Sequence, residues 1–258
     1  MQKSERMGSA LMLVGAEGIG KKKIVEQLVS QIGVNPDVMV VERERNDKDD
    51  LKKNIGIEQV RELIQRLSMS SLAGGQKIGI IDGAETLSIE AANALLKTLE
   101  DPMGDVLVIL LATSTAAIPA TVLSRCQVVY VPTVSIEEIC DALVARGAGR
   151  EDAHEIASFA AGRPGIALAL LHNQELLAAY REHRMNLASV LKASLAERIG
   201  LIGEITKSSK ENLEELLNVW ELELHKQQAY QLLMNLIRAR SAIKQNVTST
   251  LALEHAFI

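Results

Sequence analysis

The sequence predicts an α/β fold: a five-stranded parallel sheet with helices on both faces, followed by an all-helical remainder. Short runs rich in Val, Ile and Leu alternate with helical periods over residues 1–132, the pattern of strands joined by crossover helices. A glycine-rich string, GAEGIGKK at 15–22, separates the first such run from the first helical period. Beyond Pro132 the strand signals stop, and helical periods run on towards the C-terminus.

Taken in order, residues 10–14 read as the first strand, 22–32 as a helix and 38–41 as the second strand. Residues 57–69 place Ile57, Val60, Leu63, Ile64 and Leu67 on one helical stripe. Residues 77–82 form a buried strand, and 88–100 a helix that starts at Ser88 and stops before Pro102. Residues 106–112 and 127–131 complete the sheet. Three short helices follow at 135–146, 152–160 and 164–171, punctuated by Gly147, Gly149 and Gly162. Longer amphipathic stretches at 174–195, 199–205, 210–224 and 227–245 predict a helical bundle or oligomerisation collar. The expected division is 1–132, 133–172 as a small helical lid, and 173–258 as the collar.

Composition narrows the function. Hydrophobic residues at 47% and charged residues at 24% belong to a folded chain rather than a disordered one. Apolar runs such as 106–112 fall far short of the roughly 18 residues that cross a bilayer. The charged start at 1–7, with only a short apolar run behind it, does not read as a secretion signal. Two cysteines, Cys126 and Cys140, make neither a disulfide framework nor a four-thiolate zinc site, so a reducing cytoplasm is expected. A net charge of −5 with 2% aromatics argues against a stand-alone nucleic-acid binder, so any such contact would be shared with partners. The mixed-sign stretch 42–50 reads as a solvated loop, with a binding tail as the alternative.

The string at 15–22 follows a strand and opens a helix, the context in which backbone amides and a lysine surround a polyphosphate. Gly15, Gly18, Gly20 and Lys21 are the candidate cradle. The position after Lys21 normally carries a magnesium-binding hydroxyl and here is Lys22, whose charge repels a metal. Asp82 ends a buried strand, where NTPases hold a carboxylate near the metal, but the position for a water-activating glutamate is Gly83. Glu85 is either a substitute base or a surface or capping residue.

The strings AANALLKTLEDP at 91–102 and LSRC at 123–126 resemble the clamp-loader branch of the AAA+ family, the subunits that serve bacterial DNA polymerase III. The similarity extends to IEQVRELI at 57–64 and LIRARSAIKQN at 236–246. That resemblance implies an AAA+ P-loop domain with lid and collar, and gives Arg125 the role of a finger reaching the ATP of a neighbouring subunit, with Ser124 positioning the turn. A guanidinium suits the task because it is planar and permanently charged; from the residues alone, Arg125 also reads as an exposed arginine before a strand. Cys126 reads as a small apolar residue. Thr113, Ser114 and Thr115 stand where relatives sense the γ-phosphate, or else cap the strand. The family's lid arginine falls at Gly165, with Arg163 two residues early. Residues 33–55 hold no cysteine, so the family's zinc module is not expected. With about nine residues before the first strand, the segment that frames adenine in relatives is also not expected, leaving at most weak, vestigial ATP or ADP binding. Arg61 and Arg66 lie on a helix that touches the DNA backbone in relatives, and read equally well as a solvated surface.

The function this implies is a non-hydrolysing stator subunit. Its partners would be ATPase siblings and a delta subunit, with the sliding clamp and primer–template DNA met through the complex. An ATP-hydrolysing motor subunit and a degenerate AAA+ adaptor of another assembly are the alternatives.

Overall fold

A computed structural model describes residues 10–32, 37–44, 54–69, 76–102, 104–209 and 212–258. The N-terminal stretch 1–7, the end of the mixed-charge stretch at 45–50 and the expected helix start at 210 lie outside the described residues. The chain divides into two compact units, Met1–Val134 and Ser135–Ile258.

The first unit runs β1 (Ala10–Val14), α1 (Lys21–Ile32), β2 (Asp37–Val41), α2 (Ile57–Ser68), β3 (Lys77–Asp82), a 3-10 turn (Ala84–Thr86), α3 (Ile89–Glu100), β4 (Val106–Ala112), α4 (Ala120–Leu123) and β5 (Gln127–Tyr130). Among the described residues, five strands form one parallel sheet in the order β2-β3-β4-β1-β5. Every residue of β4 is buried, as a strand covered on both faces requires. Alternation along β1 sorts the two cores. Ala10, Met12 and Val14 meet Val60, Leu63 and Leu67 of α2 and Leu95 and Leu99 of α3. Leu11 and Leu13 meet Val25 of α1 on the opposite face.

The apolar stripe expected on α2 is its buried face. The helix ends where the Lys77 ammonium, itself buried, donates to the carbonyls of Arg66 at 2.9 Å and Leu67 at 3.4 Å, and to that of Met69. A cation there answers both the unpaired carbonyls and the negative end of the helix dipole. At α3, Ser88 Oγ accepts from the Ala91 N–H at 3.1 Å, the N-cap expected from the sequence.

The second unit carries α5 (Ile136–Val144), α6 (Arg150–Ala160), α7 (Pro164–His172), α8 (Gln174–Lys192), α9 (Leu195–Ser208), α10 (Leu213–Lys226), α11 (Tyr230–Lys244) and α12 (Ser249–Phe257). Trp220 is fully buried among Leu187, Val190, Ile202, Leu216 and Leu253, with Phe257 edge-on at 5.2 Å. Its indole N–H donates to the His183 carbonyl at 2.9 Å, so α10 is tied to α8. Glu155 of α6 receives Arg181 at 2.6 Å and Arg184 at 2.7 Å, both from α8.

Several boundaries differ from expectation. The stretch expected to be helical to 195 stops at Lys192, because Ser194 caps a new helix with Glu197 reaching back to its N–H at 2.9 Å. That new helix spans Leu195–Ser208, longer than the expected 199–205. The last expected helix starts at Tyr230 rather than 227, since Gln228 takes a positive φ of 57°. The sequence reading omitted α12, α4 and the 3-10 turn.

Candidate functional site

Strand order decides which residues meet. β3, β4 and β1 are adjacent, with Asp82 level with Leu111 and Val14 level with Ala112. Their C-terminal ends therefore bring together Asp82, Thr113 and the loop after Val14, in the crevice where open parallel sheets bind ligands. The loop is fixed to the sheet by the Gly15 N–H, which donates to the Ala112 carbonyl at 3.0 Å. A side chain at Gly15 would put its Cβ 2.9 Å from the Val131 carbonyl oxygen, so the close approach needs glycine. Gly18 and Gly20 follow with φ of 75° and 99°, and α1 begins at Lys21.

The Lys21 ammonium folds back onto its own loop, donating to the Gly15 carbonyl at 2.6 Å and the Ala16 carbonyl at 3.1 Å. Burial pushes its pKa down, against the opposing pull of Glu85, Asp82 and Glu17. Lys22 points the other way: its ammonium lies 2.7 Å from Asp82 Oδ2 and 3.0 Å from Glu42 Oε2. Hydrogen bonds to Asp82 and Glu42 raise its pKa, so it stays charged. Magnesium demands near-octahedral oxygen ligands. Here an ammonium replaces the hydroxyl and already neutralises the carboxylate, so these residues do not fit a divalent ion.

At Gly83 the backbone is left-handed, φ 85° and ψ 47°, and the chain turns into the 3-10 segment. That turn carries Glu85 back to the end of β4, where Oε1 accepts from the Thr113 hydroxyl at 2.6 Å and the Thr113 N–H at 3.2 Å. Glu85 Oε2 is buried and finds no hydrogen-bond partner among the described residues. The 3-10 turn thus brings Glu85 to Thr113, the first residue of the expected sensor stretch 113–115.

Arg125 lies in the turn between α4 and β5. Its Nε and Nη2 both donate to Glu100 Oε2, at 3.2 and 3.0 Å, and Nη1 donates to the Thr121 carbonyl at 3.0 Å. Ser124 Oγ donates to that same carbonyl at 3.1 Å and lies 3.4 Å from Nη1. Cys126 is half-buried against the sheet core, and burial pushes its thiol up to about 11, which leaves it unreactive at neutral pH.

A model of the family described as DNA polymerase III, delta subunit, matches residues 31–135. DNA polymerase III subunit delta′ of Pseudomonas aeruginosa is 29% identical over 216 residues, 74% of this chain and 62% of that protein. The delta′ subunit of Haemophilus influenzae is 38% identical over 121 residues, 46% of this chain and 37% of that protein. Over this stretch the chain is similar to DNA polymerase III delta-type subunits. The matches span less than two thirds of those relatives' own length. The same fold is seen in a DNA polymerase III gamma-subunit-related protein of Thermotoga maritima, superposing with a TM-score of 0.58 over 97% of this chain and 93% of that one at 18% identity.

Compared with the family's expected site, Gly165 sits in the first turn of α7, and Arg163 before it donates back to the Ala160 carbonyl at 2.9 Å. Arg61 and Arg66 on α2 are exposed and paired with Glu58 and Glu62 of the same helix, at 3.0 and 2.6 Å. Sequence reasoning missed Glu42 and Glu100. Glu42 directly follows β2, and a position just past a parallel strand is itself a signal for the ligand-binding edge. Glu100 meets Arg125 across 25 residues of sequence, which no local pattern reveals.

Proposed function

We propose that this chain is a non-hydrolysing stator of the DNA polymerase III clamp loader, assembling with ATPase siblings and lending Arg125 to a neighbour's ATP during sliding-clamp loading in DNA replication. The observation that carries the reading is the Lys22–Asp82 ion pair, which puts an ammonium against the carboxylate that hydrolysing relatives reserve for the metal. Gly83 removes the adjacent base and Gly165 the lid arginine, so the chain's own loop lacks three of the parts that phosphoryl transfer needs. Arg125, in contrast, is retained on a surface turn. A guanidinium delivered to a neighbour's transferring phosphoryl group accelerates hydrolysis by about 10³ to 10⁵ in other NTPases.

In this reading Gly15, Gly18, Gly20 and Lys21 keep a vestigial cradle for ATP or ADP, without magnesium or zinc. Residues 133–172 serve as lid and 173–258 as the collar that holds ATPase and delta subunits, while clamp and primer–template DNA are met through the complex. The assembly is cytoplasmic in this reading, and no helix among the described residues is long and apolar enough to cross a membrane. The test is the purified chain alone: no phosphate release above background is expected with ATP and magnesium. Turnover that Lys21→Ala abolishes would overturn the stator reading.

A further inference from the structure

The contacts of Arg125 say how such a finger is kept when no polyphosphate is near. A guanidinium has five N–H donors. In this chain two are taken by a single oxygen of Glu100, through Nε and Nη2, and one by the Thr121 carbonyl, through Nη1. The two anchors differ in kind. Thr121 lies in α4, one turn before Arg125, and its carbonyl is fixed by the backbone. Glu100 is the last residue of α3, its side chain 63% exposed and charged.

We infer that Glu100 is a latch on Arg125, holding the guanidinium in the resting subunit and competing with the neighbour's polyphosphate for the same N–H groups. This rests on the proposed role of Arg125. The exchange is easy in one direction. An ion pair this exposed is worth little, because water and salt screen it. A polyphosphate carries more charge and more acceptor oxygens than one carboxylate and takes over Nε and Nη2. The Nη1 bond to Thr121 does not involve Glu100, so the guanidinium keeps its place when the latch lets go. Glu100 then remains as a like charge about one hydrogen-bond length from the position it vacated. Both the competition and the repulsion oppose bound ATP and its transition state alike. Glu100 therefore sets how much ATP the neighbouring site needs, leaving its maximal rate alone.

The experiment uses the full chain assembled with its ATPase siblings, and reads steady-state ATP hydrolysis against ATP concentration. Glu100→Gln keeps an acceptor oxygen and removes the charge. It is expected to lower KM for ATP by roughly twofold to fivefold, the size an exposed pair allows, with kcat unchanged. Glu100→Asp restores the charge and is expected to return KM towards the wild-type value. Arg125→Ala lowers kcat, and adding Glu100→Gln to it lowers KM by less than Glu100→Gln does alone, because only the repulsion is left to remove. If Glu100→Gln leaves KM unmoved, or lowers kcat, while Arg125→Ala still lowers kcat, the latch is wrong and the finger stands. If Arg125→Ala has no effect, the latch and the finger both fall.

Discussion

Lys22 Nζ lies 2.7 Å from Asp82 Oδ2, joining the first residues of α1 to the end of β3 across the phosphate-type loop. The same ammonium holds Glu42 after β2 at 3.0 Å, so one fixed cation ties together the ends of β2 and β3. In the proposed stator reading, Gly83 and Gly165 stand where the base and the lid arginine of a hydrolysing subunit are expected.

Restoring the hydroxyl alone is therefore not expected to restore catalysis. Lys22→Thr should give no magnesium-dependent phosphate release, since the base is still missing at Gly83. The pair is mostly solvent-exposed on the Lys22 side, so the unfolding free energy should change by at most about 1 kcal/mol in a urea titration. Magnesium-dependent turnover by this single variant would contradict the account.

Glycine at position 83 is also required by the backbone. Gly83 has φ 85°, a left-handed conformation that costs a residue with a Cβ about 1–2 kcal/mol. Gly83→Ala should lower stability by about that amount in urea denaturation followed by far-UV circular dichroism. An unchanged midpoint would mean that the turn relaxes without strain.

The sheet was legible because periodicity and register are local or pairwise: VLVILLA at 106–112 reads as a buried strand before any contact is known. The phosphate-type loop was legible because its glycines and lysines are consecutive. Short elements were not. α4 and the 3-10 turn hold too few residues to show a period, yet the turn decides that Glu85 faces Thr113. α12 did carry a signal, with Ala252, Leu253, Ala256 and Phe257 on one face. The partners of Lys22 and Arg125 arise only when distant segments meet, which is why the sequence showed a lost hydroxyl but not the carboxylates that its replacement binds.

Cys126 should behave as an inert thiol. With its pKa raised to about 11 by burial, its thiolate fraction at neutral pH is roughly a hundredfold below that of an ordinary cysteine. Iodoacetamide labelling of the native protein, followed by mass spectrometry, should show Cys126 modified more slowly than after unfolding by about that factor. Equal rates would show that the thiol is open to solvent.

His183 should make the second unit sensitive to acid. It is buried, neither ring nitrogen has a hydrogen-bond partner among the described residues, and burial lowers its pKa despite the opposing charge of Glu182. The folded chain thus takes up a proton only below the ordinary value of about 6.5, whereas the unfolded chain does so at that value. This contribution is fully present above pH about 6.5 and is lost as pH falls below it. The buried Trp220, whose indole binds the His183 carbonyl, reports the transition by fluorescence. Wild type should lose stability from pH 7 to 5 more steeply than His183→Leu; parallel curves would exclude His183 as the source.

The central claim is that this subunit serves a neighbour's site rather than its own. The direct measurement is ATP hydrolysis by the ATPase siblings reconstituted with delta subunit, clamp and primed DNA, with this chain supplied as wild type or as Arg125→Ala. Wild type is expected to raise the rate, and Arg125→Ala to remove the increase while the complex still elutes intact from gel filtration. Full stimulation by an assembled Arg125→Ala variant would contradict the claim.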